Sequence, residues 1–163
     1  MKPRVLIVDD EPDVLDLVDF KLAGQGFEVL RAATGLEALR KARCESPNVI
    51  VLDMMLPDLD GLVVCQILRT QPSTRDVPVV VFSALDRPIS RSRGAKMKVS
   101  HWLQKGSGID SLSECVRAAH VEHLERVRLR LNSEEPSCRT ASEPGAGRLS
   151  RSAQAKALPR PER

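Results

Sequence analysis

Val5-Leu6-Ile7-Val8-Asp9-Asp10-Glu11-Pro12 decides how this chain folds. Four aliphatic residues run into three carboxylates, and the proline that follows suits the first turn of a helix. A short unbroken Val/Ile/Leu run of this kind reads as a parallel strand buried on both faces. Three further runs repeat the arrangement. Val49-Ile50-Val51-Leu52 ends in Asp53, Val79-Val80-Val81-Phe82 ends in Ser83, and Trp102-Leu103-Gln104 ends in Lys105. Phe27 to Leu30 adds a weaker strand. Helix-like stretches separate all five, which predicts an α/β doubly wound sheet of five parallel strands with helices on both faces. In open parallel sheets, ligands bind in the crevice beyond the carboxyl ends of the strands. Asp9, Asp10, Asp53, Ser83 and Lys105 should therefore face one crevice.

The intervening segments carry helix signals of differing strength. After Pro12, Val14, Leu15, Leu17, Val18, Lys21 and Leu22 give a helical face that Gly24 and Gly26 end. Thr34 with Glu37 has the spacing of a capping box, with Leu36 and Leu39 turned inward and Ser46-Pro47 as the stop. Pro57 and Gly61 mark a tight loop after the third strand. A helix over residues 62–69 follows, with Val63, Ile67 and Leu68 as candidates for burial. Residues 86–98 should form a fourth helix that is short, irregular or mobile, because Pro88 and Gly94 interrupt it. The last helix starts near residues 108–110, with Ser111 and Glu114 at capping-box spacing and Ile109, Leu112, Val116 and Ala119 as its stripe. Leu124, Val127 and Leu131 prolong that pattern over residues 123–132, as a linker or dimerising helix or as a solvated overhang. From Ser133 onward, Ser, Pro, Gly, Ala, Arg and Glu dominate, too little apolar surface to offset ordering entropy, so 133–163 reads as a disordered tail.

Composition narrows the function. Aromatics make up 2% of 163 residues, so the core must be mainly aliphatic. The net charge of +3 hides an asymmetry: residues 1–60 carry 7 basic and 12 acidic side chains, residues 61–163 carry 18 and 10. The acidic part favours a cation, and the basic part an acidic partner or plain solvation. Cys44, Cys65, Cys115 and Cys138 show no paired spacing, and no histidine stands at ligand spacing from them, so free thiols in a reducing cytoplasm are expected. The first apolar run is too short for a signal peptide, and nothing approaches the about 18 apolar residues of a membrane span.

The polar strand ends suit one chemistry. Asp53 as a nucleophile would attack phosphorus and form an acyl phosphate. Its charge repels an incoming phosphoryl group, so a divalent cation must neutralise it. Mg²⁺ takes oxygen ligands in near-octahedral array, and Asp9, Asp10 and Asp53 can supply them. Lys105 can pair with a phosphoryl oxygen as a point charge, and Ser83 can donate a hydrogen bond to another. Singly, each residue has a plainer reading: a helix cap, a dipole partner, a turn or a solvated lysine. Four independent strand ends converging on one crevice favour the site.

These residues, with Asp53 followed by Met54-Met55-Leu56-Pro57-Asp58-Leu59-Asp60-Gly61 and with Ser83-Ala84, resemble the receiver domain of bacterial two-component response regulators, of the stand-alone type. The resemblance covers roughly residues 3–122, giving a receiver domain at 1–122. It implies a flavodoxin-like strand order 2-1-3-4-5. It further implies that Asp53 accepts a phosphoryl group from a histidine kinase or phosphotransfer protein. Asp10 would bind Mg²⁺ directly, Asp9 through water, and the Met55 carbonyl would complete the protein ligands. Ser83 and Trp102 would form the switch, the aromatic filling space vacated when phosphate draws Ser83 inward. Met55 and Leu85, apolar where side chains border the path of hydrolytic water, imply slow self-dephosphorylation.

Two departures from the family pattern stand out. Gly106 follows the lysine where the family has proline, and Lys98-Val99 stands where Gly-Ala is usual. Arg87, Arg91, Arg93, Lys96 and Lys98 make that region basic, which points to an acidic downstream protein there. Residues 123–163 are too few for a DNA-binding winged helix or an enzyme, so no output domain is expected. The sequence therefore reads as a cytoplasmic phosphoacceptor, with at most slow self-catalysed phosphorylation and dephosphorylation. Membrane and nucleic-acid partners are not expected, since stacking aromatics are missing from the tail. Rival readings are a phosphorylation-independent adaptor with a vestigial site, and a metal-dependent phosphatase with an aspartyl intermediate.

Overall fold

A computed structural model describes residues 2–85 and 98–133. Strands β1 (Arg4–Val8), β2 (Glu28–Ala32), β3 (Val49–Leu52), β4 (Val79–Ser83) and β5 (His101–Gln104) form one sheet in the order β2-β1-β3-β4-β5. Every neighbouring pair is parallel, with Val5 opposite Val49, Ile50 opposite Val79 and Val81 opposite Trp102. Parallel neighbours need crossover connections. Helices α1 (Pro12–Gly24), α2 (Gly35–Glu45) and α3 (Gly61–Thr70) supply three of them, and α4 (Ile109–Ser133) follows β5 through a 3₁₀ turn at Lys105–Ser107. The helix expected over residues 86–98 lies outside the described residues except for Lys98, as does the expected tail except for Ser133.

Side-chain alternation along the strands divides the core in two. Leu6, Val8, Ile50, Leu52, Val79 and Val81 face α2 and α3, meeting Leu39, Val64 and Leu68. Val5, Ile7, Val49, Val51, Val80 and Phe82 face α1 and α4, meeting Val18, Leu22, Leu112 and Val116. Burying a Leu or Ile side chain contributes about 1.5–3 kcal/mol, so the central strands anchor the domain and hold their carboxyl ends in place. Cys44, Cys65 and Cys115 are free thiols, and burial pushes the Cys65 thiol up to about 12.

The helix faces correct three expectations. Leu17, Leu36 and Val63 are 54%, 64% and 39% exposed. The buried set on α1 is Leu15, Val18 and Leu22, at spacings of 3 and 4, and Leu17 falls off that arc. On α2, Leu36 lies off the arc of Gly35, Ala38, Leu39 and Ala42, and on α3, Val64, Cys65 and Leu68 take the inward face instead of Val63.

Capping follows the sequence in part. Thr34 Oγ1 accepts from Glu37 N (3.2 Å), and Glu37 Oε2 accepts from Ala33 N (3.0 Å) instead of the cap residue's own N–H. Ser111 caps nothing, because Gly108 at φ +90° lets α4 begin at Ile109. Ser111 sits inside the first turn and donates to Ser107 O (3.1 Å). Further along α4, Leu124, Val127 and Leu131 are exposed, and Arg130 reaches back to Asp76 with bonds of 2.8 and 3.2 Å.

Candidate functional site

Main-chain pairing carries the sheet ladder up to the crevice. Asp9 N donates to Ala32 O (3.1 Å) and Asp53 N donates to Val8 O (2.9 Å), so both aspartates sit on the last rungs of a buried ladder. Both residues are nearly sealed, at 2% and 4% exposure. Carboxylates are rarely so buried unless paired. Lys105, just past β5, supplies the pairing: its Nζ lies 2.9 Å from Asp9 Oδ2, 2.8 Å from Asp53 Oδ2 and 2.6 Å from Glu11 Oε1.

Glu11 stands at the N-cap of α1 but makes no side-chain cap bond; its carboxylate goes to Lys105 instead. Asp9 Oδ1 accepts from Glu11 N (3.0 Å), and Asp53 Oδ1 accepts from Met55 N (3.1 Å). Asp53 thus spends one oxygen on shaping its own loop and turns the other to the lysine, while Lys105 Nζ donates to Asp9 Oδ1 (3.2 Å) as well as lying beside Oδ2. Burial raises the Asp9 carboxyl above its ordinary value, against the hydrogen bond from Lys105. For Lys105 burial pulls downward, but the bonds to Asp53, Glu11 and Asp9 together outweigh it and hold the ammonium above the usual lysine range.

An open cleft of about 380 Å³ lies over this cluster, lined by Asp10, Glu11, Asp53, Met55, Ala84 and Lys105 among others. Asp10 is exposed at its rim, and one oxygen each from Asp9, Asp10 and Asp53 lie within 4.8 Å of one another. Three hard oxygen donors at that spacing fit a Mg²⁺ ion. The Met55 main chain is drawn to the same point by its bond to Asp53, while its side chain is exposed.

Ser83 ends β4 fully buried, its Oγ 3.4 Å from Leu85 N. Trp102 lies two rungs back on β5, opposite Val81, and packs partly buried on the α2/α3 side of the sheet. Ser83 shares the parity of Val81, so alternation turns both switch candidates to that side. The Trp102 indole N–H has no partner among the described residues.

Supporting residues escaped the sequence reading. Asp58 accepts from Gly35 N (2.7 Å) and Leu36 N (2.9 Å), capping α2 from the loop after β3. Gly61 closes that loop by donating to Met54 O (3.0 Å). Arg69 donates to the carbonyls of Val77 (2.8 Å) and Lys98 (3.0 Å). No local spacing signals bonds between residues so far apart in sequence. The tight loop marked by Pro57 and Gly61 is the visible hint.

A family model for the response regulator receiver domain matches residues 5–117. The DNA-binding dual master transcriptional regulator RpaA of Synechocystis is 36% identical over 116 residues, 71% of this chain and 48% of that protein. The response regulator PleD of Caulobacter vibrioides is 36% identical over 129 residues, 79% of this chain and 27% of that protein. The chain thus spans about half or less of the length of these relatives. The receiver domain of the Francisella response regulator 1452 superposes with a TM-score of 0.68 at 32% identity, covering 74% of this chain and 98% of that one. The family match runs from the first strand into the last helix and takes in every residue around the crevice, so this chain belongs to the response regulator receiver domain family.

Proposed function

We propose that Asp53 is the phosphoryl acceptor of this receiver, served by a histidine kinase or phosphotransfer protein. The observation that carries the reading is the buried Asp53 carboxylate held 2.8 Å from Lys105 beside the Asp9–Asp10 pair, at the floor of an open cleft. One Asp53 oxygen attacks phosphorus as the donor's P–N bond breaks, and the imidazole leaves with the bond's electron pair. Lys105, already on Asp53, moves to a phosphoryl oxygen and offsets the new charge. Ser83 donates its hydroxyl to a second phosphoryl oxygen. Asp9, Asp10, Asp53 and the Met55 main chain would hold Mg²⁺, which supplies charge neutralisation for the attack.

The reorientation of Ser83 is read out through β5. Ser83 and Trp102 face the same side of the sheet on adjacent strands, so a move of Ser83 towards phosphate opens space for the indole. A downstream protein then binds the changed surface around residues 87–98. Lys98 there is exposed, and Arg87, Arg91, Arg93 and Lys96 lie outside the described residues. Among the described residues no helix is long and apolar enough to cross a membrane.

Trp102 is the sole tryptophan and reports the switch directly. Its fluorescence should change on addition of Mg²⁺ and again on addition of beryllium fluoride, a phosphoryl mimic, and the second change should vanish in Asp53→Ala. No response to either, with no Mg²⁺ binding by calorimetry, would favour a constitutive adaptor.

A further inference from the structure

The two halves of α4 present different faces. In the first half, Leu112, Val116 and Ala119 are fully buried against the sheet. Beyond Ala119 a second apolar arc takes over. Val121, Leu124, Val127 and Leu131 follow at spacings of 3, 3 and 4, and all four are between 40% and 63% exposed. At 3.6 residues per turn they fall within about a third of the helix circumference. A contiguous exposed apolar patch marks an interaction surface.

The charged residues beside this arc divide by flank. His123, Arg126 and Arg130 lie on the flank towards the body of the domain: Arg130 reaches Asp76 (2.8 Å), Asp76 and Arg126 both act on His123, and the charge of Arg126 is felt at Arg69 of α3. Glu122, on the far side of the helix, is taken by Arg126 (3.4 Å). The outer flank carries Glu125 and Arg128, both exposed and neither in an ion pair among the described residues.

We propose that the exposed arc of α4 pairs with the same arc of a second copy of this chain, the two helices running antiparallel. A two-fold antiparallel pair sets each flank against its own equivalent. With Val127 near the axis, Leu124 of one copy meets Leu131 of the other. Glu125 of one copy then meets Arg128 of the other, and the symmetry makes this contact twice. A parallel pair would instead set Arg128 against the flank that carries Arg126 and Arg130, like charge on like. The outer flank is therefore complementary to itself in one orientation, which favours a second copy over an unrelated helix. The patch is small against the about 800 Å² per partner of a standard interface, so the dimer is weak and forms as concentration rises. The acidic crevice takes no part in it.

Sedimentation velocity on the whole chain over a concentration series tests the proposal. A reversible monomer–dimer equilibrium is expected, with dissociation in the micromolar range. Leu124→Glu/Val127→Glu should weaken it at least about tenfold. Both side chains are exposed, so this variant should melt where the dilute parent does, as circular dichroism would show. Glu125→Arg and Arg128→Glu should each weaken the dimer, and the exchange Glu125→Arg/Arg128→Glu should restore it, because every pair is kept with its signs reversed. A chain that stays monomeric at every concentration would leave the arc to a helix of another protein and overturn the proposal. A dimer indifferent to Leu124→Glu/Val127→Glu, or one strengthened by Arg128→Glu as a parallel pair would be, would overturn it too.

Discussion

Lys105 touches three carboxylates at once, two of them sealed from water. Removing it leaves Asp9 and Asp53 facing each other with no cation between them. Lys105→Ala should lower stability by about 1–3 kcal/mol, less than for a fully buried pair because the cleft is open. Mg²⁺ should restore part of the loss by supplying the missing charge, which urea melts with and without the ion would measure. Gly61 is fixed by space: an added Cβ would lie 2.6 Å from Asp53 O and 2.7 Å from Met54 Cα. Gly61→Ala should therefore push the acceptor's own main chain, costing about 1–3 kcal/mol and slowing phosphorylation. At Gly106 nothing lies within 4 Å of an added Cβ and φ is not left-handed. The departure that the sequence flagged is thus sterically open, and Gly106→Ala should stabilise by about 0.4–1 kcal/mol through the unfolded chain. Met55 and Leu85 are exposed and apolar beside the site, 58% and 42% accessible. The phosphoryl group should therefore persist for hours, measured by its decay after the donor is removed; a decay in seconds would refute this.

At the scale of elements, α2 owes its start to two residues from different places. Thr34 caps it locally, and Asp58 caps it across the fold, drawing the loop after β3 against α2. Bonds from Leu36 and, after them, Gly35 hold the Asp58 carboxyl below the usual carboxylate value. A depressed folded-state pKa means stability that is full above the unfolded value and is lost as pH falls through the folded one. Asp58→Asn should then be less stable than the parent near neutral pH, and the gap should close under acid, which urea midpoints across the range would show. The sequence exposed Thr34 because its partner is three residues away, and hid Asp58 because its partners are more than twenty away. Likewise the phase of an amphipathic helix is not fixed by listing its apolar residues: Leu17 and Leu36 belong to the lists but not to the buried arcs.

At the scale of the whole molecule, the parallel sheet and the place of the crevice were readable from the apolar runs and the polar residue ending each, while the strand order followed from the resemblance to receiver domains. Parallel strands buried on both faces leave an unmistakable pattern, and their carboxyl ends share one side of the sheet by topology alone. Contacts that cross between elements were not readable: the Glu11–Lys105 bond, the Arg69 bonds to loop carbonyls, and the Arg130–Asp76 pair that ties α4 to the loop before β4. Each depends on where distant segments meet, which periodicity does not encode. The account as a whole rests on Asp53 accepting phosphate. The direct measurement is intact-mass spectrometry after incubation with Mg²⁺ and acetyl phosphate, a small-molecule donor. One phosphoryl increment is predicted, labile to hydroxylamine as an acyl phosphate must be, and absent both from Asp53→Asn and when Mg²⁺ is chelated. An unmodified mass in the parent protein, or an increment that survives in Asp53→Asn, would contradict it.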